Sequence, residues 1–159
     1  TGLGFDVHKF SPKPTNTLRL GGINIKYSKK LEGHSDADVV LHAITDSILG
    51  IVKEGDIGRV FSNKNPKWKN ADSKIFLDYA IARVKQLNYI IRYIDITIIC
   101  EEPKISSHAN RMTKKISELV EISTDNISIK ATTTEKLGFT GKEEGIAAYA
   151  VALLSKTVN

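Results

Sequence analysis

The chain has 159 residues, 41% of them hydrophobic and 26% charged, with a formal net charge of +5 and one cysteine, Cys100. This is enough for one domain with a real core, but no apolar run approaches the roughly 20 residues of a membrane span, and a lone thiol allows neither an internal disulfide nor a thiolate metal cluster, which makes a reducing compartment its natural home. The positive charge is scattered lysine rather than the stripe or groove of a nucleic-acid module, so no nucleic acid is expected as partner, while a polyphosphate substrate suits it.

In chain order, the alternation through residues 2–9 reads as a strand, and Leu18-Arg19-Leu20 with Ile23-Asn24-Ile25 reads as a hairpin around Gly21-Gly22. Ser35 or Asp36 is the expected N-cap of a helix over about 37–52 that ends around Gly55. Asp72 or Ser73 caps a second helix near 73–87. Residues 89–100 are β-branched and predict a strand, with Pro103 beyond it. A third helix fits 107–121, with Met112, Ile116, Leu119 and Val120 inward, and 127–131 reads as a strand. The segment 146–154 is ambiguous, since its alanines favour helix and its short apolar run a buried strand. The order is that of an α+β domain without repeats or a linker.

Asp6 and His8 stand two apart in the first strand and so project from one face. With His42 on the first helix they make an Asp-x-His…His set. Two imidazoles and a carboxylate fit a tetrahedral Zn²⁺ with its fourth position open. Two further stretches suit anions. Gly33-His34-Ser35-Asp36-Ala37-Asp38 opens a helix and offers N–H groups; a plain capped start accounts for Ser35 and Asp36 but not for His34. Lys130 through Gly141 places three threonines before Glu135 and a glycine-rich turn. Those threonines either continue a strand or donate to a diphosphate, with Glu135 on a divalent metal.

Together these blocks resemble one family, the 2-C-methyl-D-erythritol 2,4-cyclodiphosphate synthases of non-mevalonate isoprenoid biosynthesis. The similarity is carried by Gly4-Phe5-Asp6-Val7-His8, by His34-Ser35-Asp36 with Asp38-Val39 and Leu41-His42-Ala43, by Gly55-Asp56-Ile57-Gly58 with Phe61, and by Lys130–Gly141. It implies one catalytic domain over 1–159. It also implies a mixed sheet of about four main strands with helices on one face, which makes 146–154 a strand. The domain would assemble as a homotrimer with its sheets facing the three-fold axis and active sites between adjacent subunits. The implied reaction is attack of the 2-phosphate of 4-diphosphocytidyl-2-C-methyl-D-erythritol 2-phosphate on the β-phosphorus of its own diphosphate, with CMP leaving.

By the same resemblance Zn²⁺ sits on Asp6, His8 and His42, and Mg²⁺ or Mn²⁺ on Glu135 and the substrate phosphates. His34 and Thr133 stabilise the transition state. Ser35, Asp56, Ile57, Gly58 and Phe61 hold the methylerythritol. Cys100, Pro103, Lys104, Ile105 and Ser106 form the cytidine pocket with Ala131, Thr132 and Thr134, and Phe139 belongs to the substrate-contacting block. Asp36 and Asp38 are candidate partners for a ligand histidine, Asp38 equally a helix-start carboxylate. His108, outside every block, reads as a surface or cap residue.

Some positions depart from the pattern. Lys142 stands where the family usually has Arg, so a bidentate phosphate contact becomes a point charge near the trimer axis, where some members bind an isoprenoid diphosphate. Asn63 replaces an acidic residue expected beside the ribose, and Glu101-Glu102 replaces more neutral residues beside the cytidine. A zinc-dependent phosphoester hydrolase and a non-catalytic isoprenoid-diphosphate-binding trimer are the alternatives. The expected setting is a bacterial cytoplasm or a plastid or apicoplast lumen. The chain opens at Thr1, which leaves room for a preceding transit segment or fused domain.

Overall fold

Strand β1 (Gly2–Lys9) runs antiparallel to the long C-terminal strand β6 (Gly145–Lys156), which in turn pairs antiparallel with β4 (Tyr89–Ile99). β5 (Ile127–Thr132) completes the sheet parallel to β4, in the order β1-β6-β4-β5. A separate hairpin of β2 (Thr17–Leu20) and β3 (Ile23–Lys26) turns on Gly21-Gly22. Three longer helices, α1 (Val39–Ile51), α3 (Lys74–Gln86) and α4 (Ala109–Val120), pack on the sheet, and α2 (Ile57–Val60) and α5 (Gly138–Gly141) are single turns. The computed structural model describes residues 1–157, so the last two residues of the expected 1–159 domain lie outside it.

α1 is apolar nearly all round because it is covered on both sides, by the sheet below and α3 beside it. Its floor is thin. Ala148, Ala150 and Ala152 of β6 are buried beneath the helices. At Gly4 of β1 an added Cβ would lie 1.9 Å from the Ala43 carbonyl oxygen. The alanines that made 146–154 look helical are thus small residues in a strand that a helix crosses closely, and packing overrides their propensity.

Helix α1 begins later than expected, and its N-cap is neither Ser35 nor Asp36. Both side chains are engaged locally: Ser35 Oγ accepts the Ala37 N–H and Asp36 Oδ1 the Asp38 N–H. Ala37 turns the chain at φ +58°, and Asp38 then caps, accepting the Leu41 N–H at 3.1 Å. Nor does the helix run on towards Gly55; it stops at Ile51, and Lys53 at φ +61° turns the chain away. Helix α4 is likewise shorter than 107–121, preceded by a 3₁₀ turn over Ile105–Ser107.

The opposite face of the sheet is bare. Leu3, Phe5, Tyr93, Tyr149, Val151 and Leu153 project from it, each at least 38% exposed, with the ring centroids of Phe5 and Tyr149 4.7 Å apart in a tilted contact. The closeness of α1 to β1 predicts that Gly4→Ala costs about 3 kcal/mol or more, the overpacking range, read as a lower urea midpoint at unchanged slope.

Candidate metal and phosphate site

Strand β1 projects Asp6 and His8 from the face that α1 covers, and α1 carries His42 down onto them. His42 Nδ1 lies 2.9 Å and His8 Nε2 3.0 Å from Asp6 Oδ2, and the two ring nitrogens are 3.1 Å apart. Donors bound tetrahedrally at about 2.0–2.1 Å stand about 3.3 Å from one another, so this set fits one small divalent cation after a few tenths of an ångström of expansion. Among the described residues it is the one group of three or more His, Cys, Asp or Glu side chains with donor atoms so close together.

Burial works against the charge of Asp6, but hydrogen bonds and charges from His42 and His8 outweigh it and hold the carboxyl well below the usual carboxylate range. Burial similarly opposes protonation of His8, and Asp6, with the Glu32 carbonyl, shifts the balance upward. On the far side of His42, Nε2 lies 2.8 Å from Ser73 Oγ and 3.1 Å from Ser35 Oγ.

The triad opens into a cavity of about 210 Å³ lined by His8, His34, Ser35, His42, Ile57, Gly58, Phe61, Asn63, Trp68 and Phe76. His34 Nε2 is 3.4 Å from the Asn65 carbonyl oxygen. Phe61 anchors the apolar wall, 4.7 Å from Phe76 and 5.0 Å from Trp68 between ring centroids. Asp56 does not line this cavity; its carboxylate caps α2 by accepting the Arg59 N–H at 2.8 Å. The neighbouring Ile57 N–H donates to Asp46 Oδ1 of α1 at 2.8 Å.

A second cavity of about 160 Å³ gathers Cys100, Glu101, Pro103, Lys104, Ile105, Ser106, Ala131, Thr132 and Thr133. Glu101 belongs to its structure, since its Oε1 accepts the Thr134 N–H at 3.0 Å. Burial, reinforced by Glu102 and Glu101, pushes the Cys100 thiol up to about 12, so it stays protonated. Thr133 Oγ1 donates to Glu135 Oε1 at 2.8 Å. Thr134 Oγ1 bonds the Leu137 carbonyl and Thr140, which ties the loop to α5. Phe139 and Lys142, on and just after α5, line neither cavity, and the two cavities share no residue.

Asp38 is not a partner of a ligand histidine. It is fully buried, and its oxygens accept the N–H groups of Gly21 at 2.9 Å and Gly22 at 2.7 Å besides Leu41. It pins the hairpin to the start of α1. Of the two candidates only Asp36 reaches a ligand histidine, and it does so through Ser73. Ser73, Asp46, Trp68 and Phe76 escaped the sequence reading because a helix-start serine, a helical aspartate and apolar aromatics each have an ordinary explanation.

The YgbB family model matches residues 1–155. A 2-C-methyl-D-erythritol 2,4-cyclodiphosphate synthase of Bacillus cytotoxicus is 52% identical over 155 residues, which cover 98% of this chain and 97% of that one. Among solved structures, the bifunctional IspDF of Campylobacter jejuni superposes with a TM-score of 0.92 at 37% identity, over 98% of this chain and 42% of its own. The IspF CDP complex of Plasmodium falciparum superposes with a TM-score of 0.84 at 38% identity, over 99% of this chain and 96% of that one.

Burial, with the charge of Asp56, pushes the Asp46 carboxyl up to about 6, against the pull of the Ile57 N–H. The folded chain then binds more protons than the unfolded one between the ordinary aspartate value of 3.8 and about 6, so the penalty for ionising Asp46 grows as pH rises through that window. Asp46→Asn, which keeps the acceptor, is expected to raise the melting temperature of metal-stripped protein by about 3 °C at about pH 8, roughly 1 kcal/mol after allowance for solvent, and to leave it unchanged at about pH 4.

Proposed function

The chain belongs to the YgbB family, and on that premise we propose that it converts 4-diphosphocytidyl-2-C-methyl-D-erythritol 2-phosphate to 2-C-methyl-D-erythritol 2,4-cyclodiphosphate and CMP. The observation that carries this reading is the Asp6, His8 and His42 cluster opening into a cavity that also contains His34 and Ser35. In the reaction an oxygen of the 2-phosphate forms a bond to the β-phosphorus, and the bond from that phosphorus to the α,β-bridging oxygen breaks, so that CMP leaves with the electron pair. The nucleophile belongs to the substrate. A protonated, buried Cys100 is therefore no obstacle, and catalysis is positioning and charge neutralisation.

A Zn²⁺ on Asp6, His8 and His42 would supply Lewis acidity to a phosphate oxygen at its open position. Glu135, with Thr133 beside it, offers one carboxylate for Mg²⁺ or Mn²⁺, which are commonly held by one or two carboxylates plus substrate phosphates. His34, Ser35 and Thr133 donate to phosphate and hydroxyl oxygens. Lys104 adds positive charge at the nucleotide cavity, which takes the cytidine. Ile57, Gly58 and Phe61 shape the wall against the methylerythritol and exclude water from it. Water at the open zinc position would make a hydrolase, but the anion-facing groups at the triad and the separate nucleotide cavity favour a diphosphate there.

The chain assembles as a homotrimer through its bare sheet face, and each active site joins the zinc cavity of one subunit to the nucleotide cavity of its neighbour. This is supported by the exposed apolar strands and by the two halves of the site lying in separate cavities of one chain.

Product analysis by ³¹P NMR is expected to show cyclic diphosphate and CMP; linear phosphate with free nucleotide would establish the hydrolase instead. His42→Ala and Glu135→Ala are each expected to lower turnover about 10³-fold or more while leaving the trimer intact, the several kcal/mol that metal coordination contributes. Co-expression of those two variants should restore about a quarter of the activity, because random assembly leaves that share of shared sites intact. Absence of any recovery would rule out a site shared between subunits.

A further inference from the structure

Ser73 occupies the N-cap position of α3, yet its side chain makes no capping bond; Asp72 Oδ1 accepts the Lys74 N–H instead. The hydroxyl is fully buried and lies between two groups, Asp36 Oδ1 and His42 Nε2. The protonation pattern follows from donor and acceptor counting. A carboxylate only accepts, so the single Ser73 proton goes to Asp36. The Ser73 oxygen then accepts from His42 Nε2–H, which leaves Nδ1, the nitrogen that faces Asp6 and His8, as the one whose lone pair becomes available when a metal takes the place of its proton.

Asp36 is itself held, accepting the N–H groups of Asp38 at 3.1 Å and Ser73 at 3.2 Å, with Arg19 Nε 3.7 Å from Oδ2. Ser35, the other hydroxyl near Nε2, lines the substrate cavity, whereas Ser73 lines neither that cavity nor the nucleotide one. The orientation of the His42 ring depends on side chains alone.

We propose that Ser73, supported by Asp36, is a positioning residue for the metal centre: it accepts the hydrogen bond of His42 Nε2–H, fixes the ring and presents Nδ1 to the metal. The proposal rests on the zinc reading above and extends it to a residue that touches neither metal nor substrate. Outer partners of ligand histidines typically change metal affinity about 10–100-fold.

The test is Zn²⁺ affinity of chelator-stripped protein, measured by competition with a chromophoric chelator, together with the visible spectrum of the Co²⁺-loaded form. Ser73→Ala is expected to weaken Zn²⁺ binding about 10–100-fold and to alter the Co²⁺ bands, and Ser73→Thr, which keeps the hydroxyl, to bind within about threefold of the unaltered chain. Equal affinity of Ser73→Ala and the unaltered chain would overturn the proposal. Should Ser73→Ala fail to fold, Asp36→Ala decides: removing the acceptor of the Ser73 hydroxyl is expected to weaken Zn²⁺ binding about tenfold, and no change overturns the proposal. An unaltered chain that took up no Zn²⁺ would overturn the zinc reading itself, and the proposal with it.

Discussion

Everything in this molecule depends on how closely α1 lies against the sheet. Gly2 and Gly4 leave no room for a side chain beneath the helix, and the alanines of β6 keep the floor thin beside them. That separation brings His42 within hydrogen-bonding distance of Asp6, which lies 36 residues away in sequence. A larger residue at either glycine would lift the helix and open the donor set before any ligand was altered. Dense packing is thus what makes a three-residue metal site possible in a domain of this size.

Buried polar groups maintain the register of that contact. Asp38 ties the hairpin turn to the start of α1, and Asp36 ties the loop before α1 to the start of α3. Both carboxylates are surrounded by N–H donors, which offset the cost of burying them. Asp46 lies further along α1 and holds the turn that carries Ile57 and Gly58. Three aspartates on or just ahead of one helix therefore position the hairpin, the metal ligand and the cavity wall. The only thiol, meanwhile, is packed away and chemically silent.

The two faces of the sheet have different roles. One is sealed by helices and builds the cavity beside Asp6, His8 and His42 along the β1 side and the cavity around Cys100 and Thr132 at the β4–β5 end. The other is apolar and open, and a face of that kind on a small protein calls for a partner surface. In the reaction proposed above a polyanion folds back on itself, and a site shared between two subunits would let cation-binding groups approach the diphosphate from opposite sides.

The main elements and their order are legible from the residues alone, because strand alternation, helical apolar faces and the Gly21-Gly22 turn are local signals. So are the donor types: a single cysteine left only histidine and carboxylate, and the i, i+2 spacing of Asp6 and His8 put them on one face. The family blocks made the reaction legible. The residues of 146–154 by themselves left helix and strand open; the family resemblance implied a strand, and the packing gives the reason, since alanine propensity yields to a helix crossing overhead. Only the tertiary structure decided that Asp38 rather than Ser35 or Asp36 caps α1, and that Ser73 serves His42 instead of its own helix. In each case several groups compete for the same N–H or hydroxyl, and the outcome depends on neighbours distant in the chain.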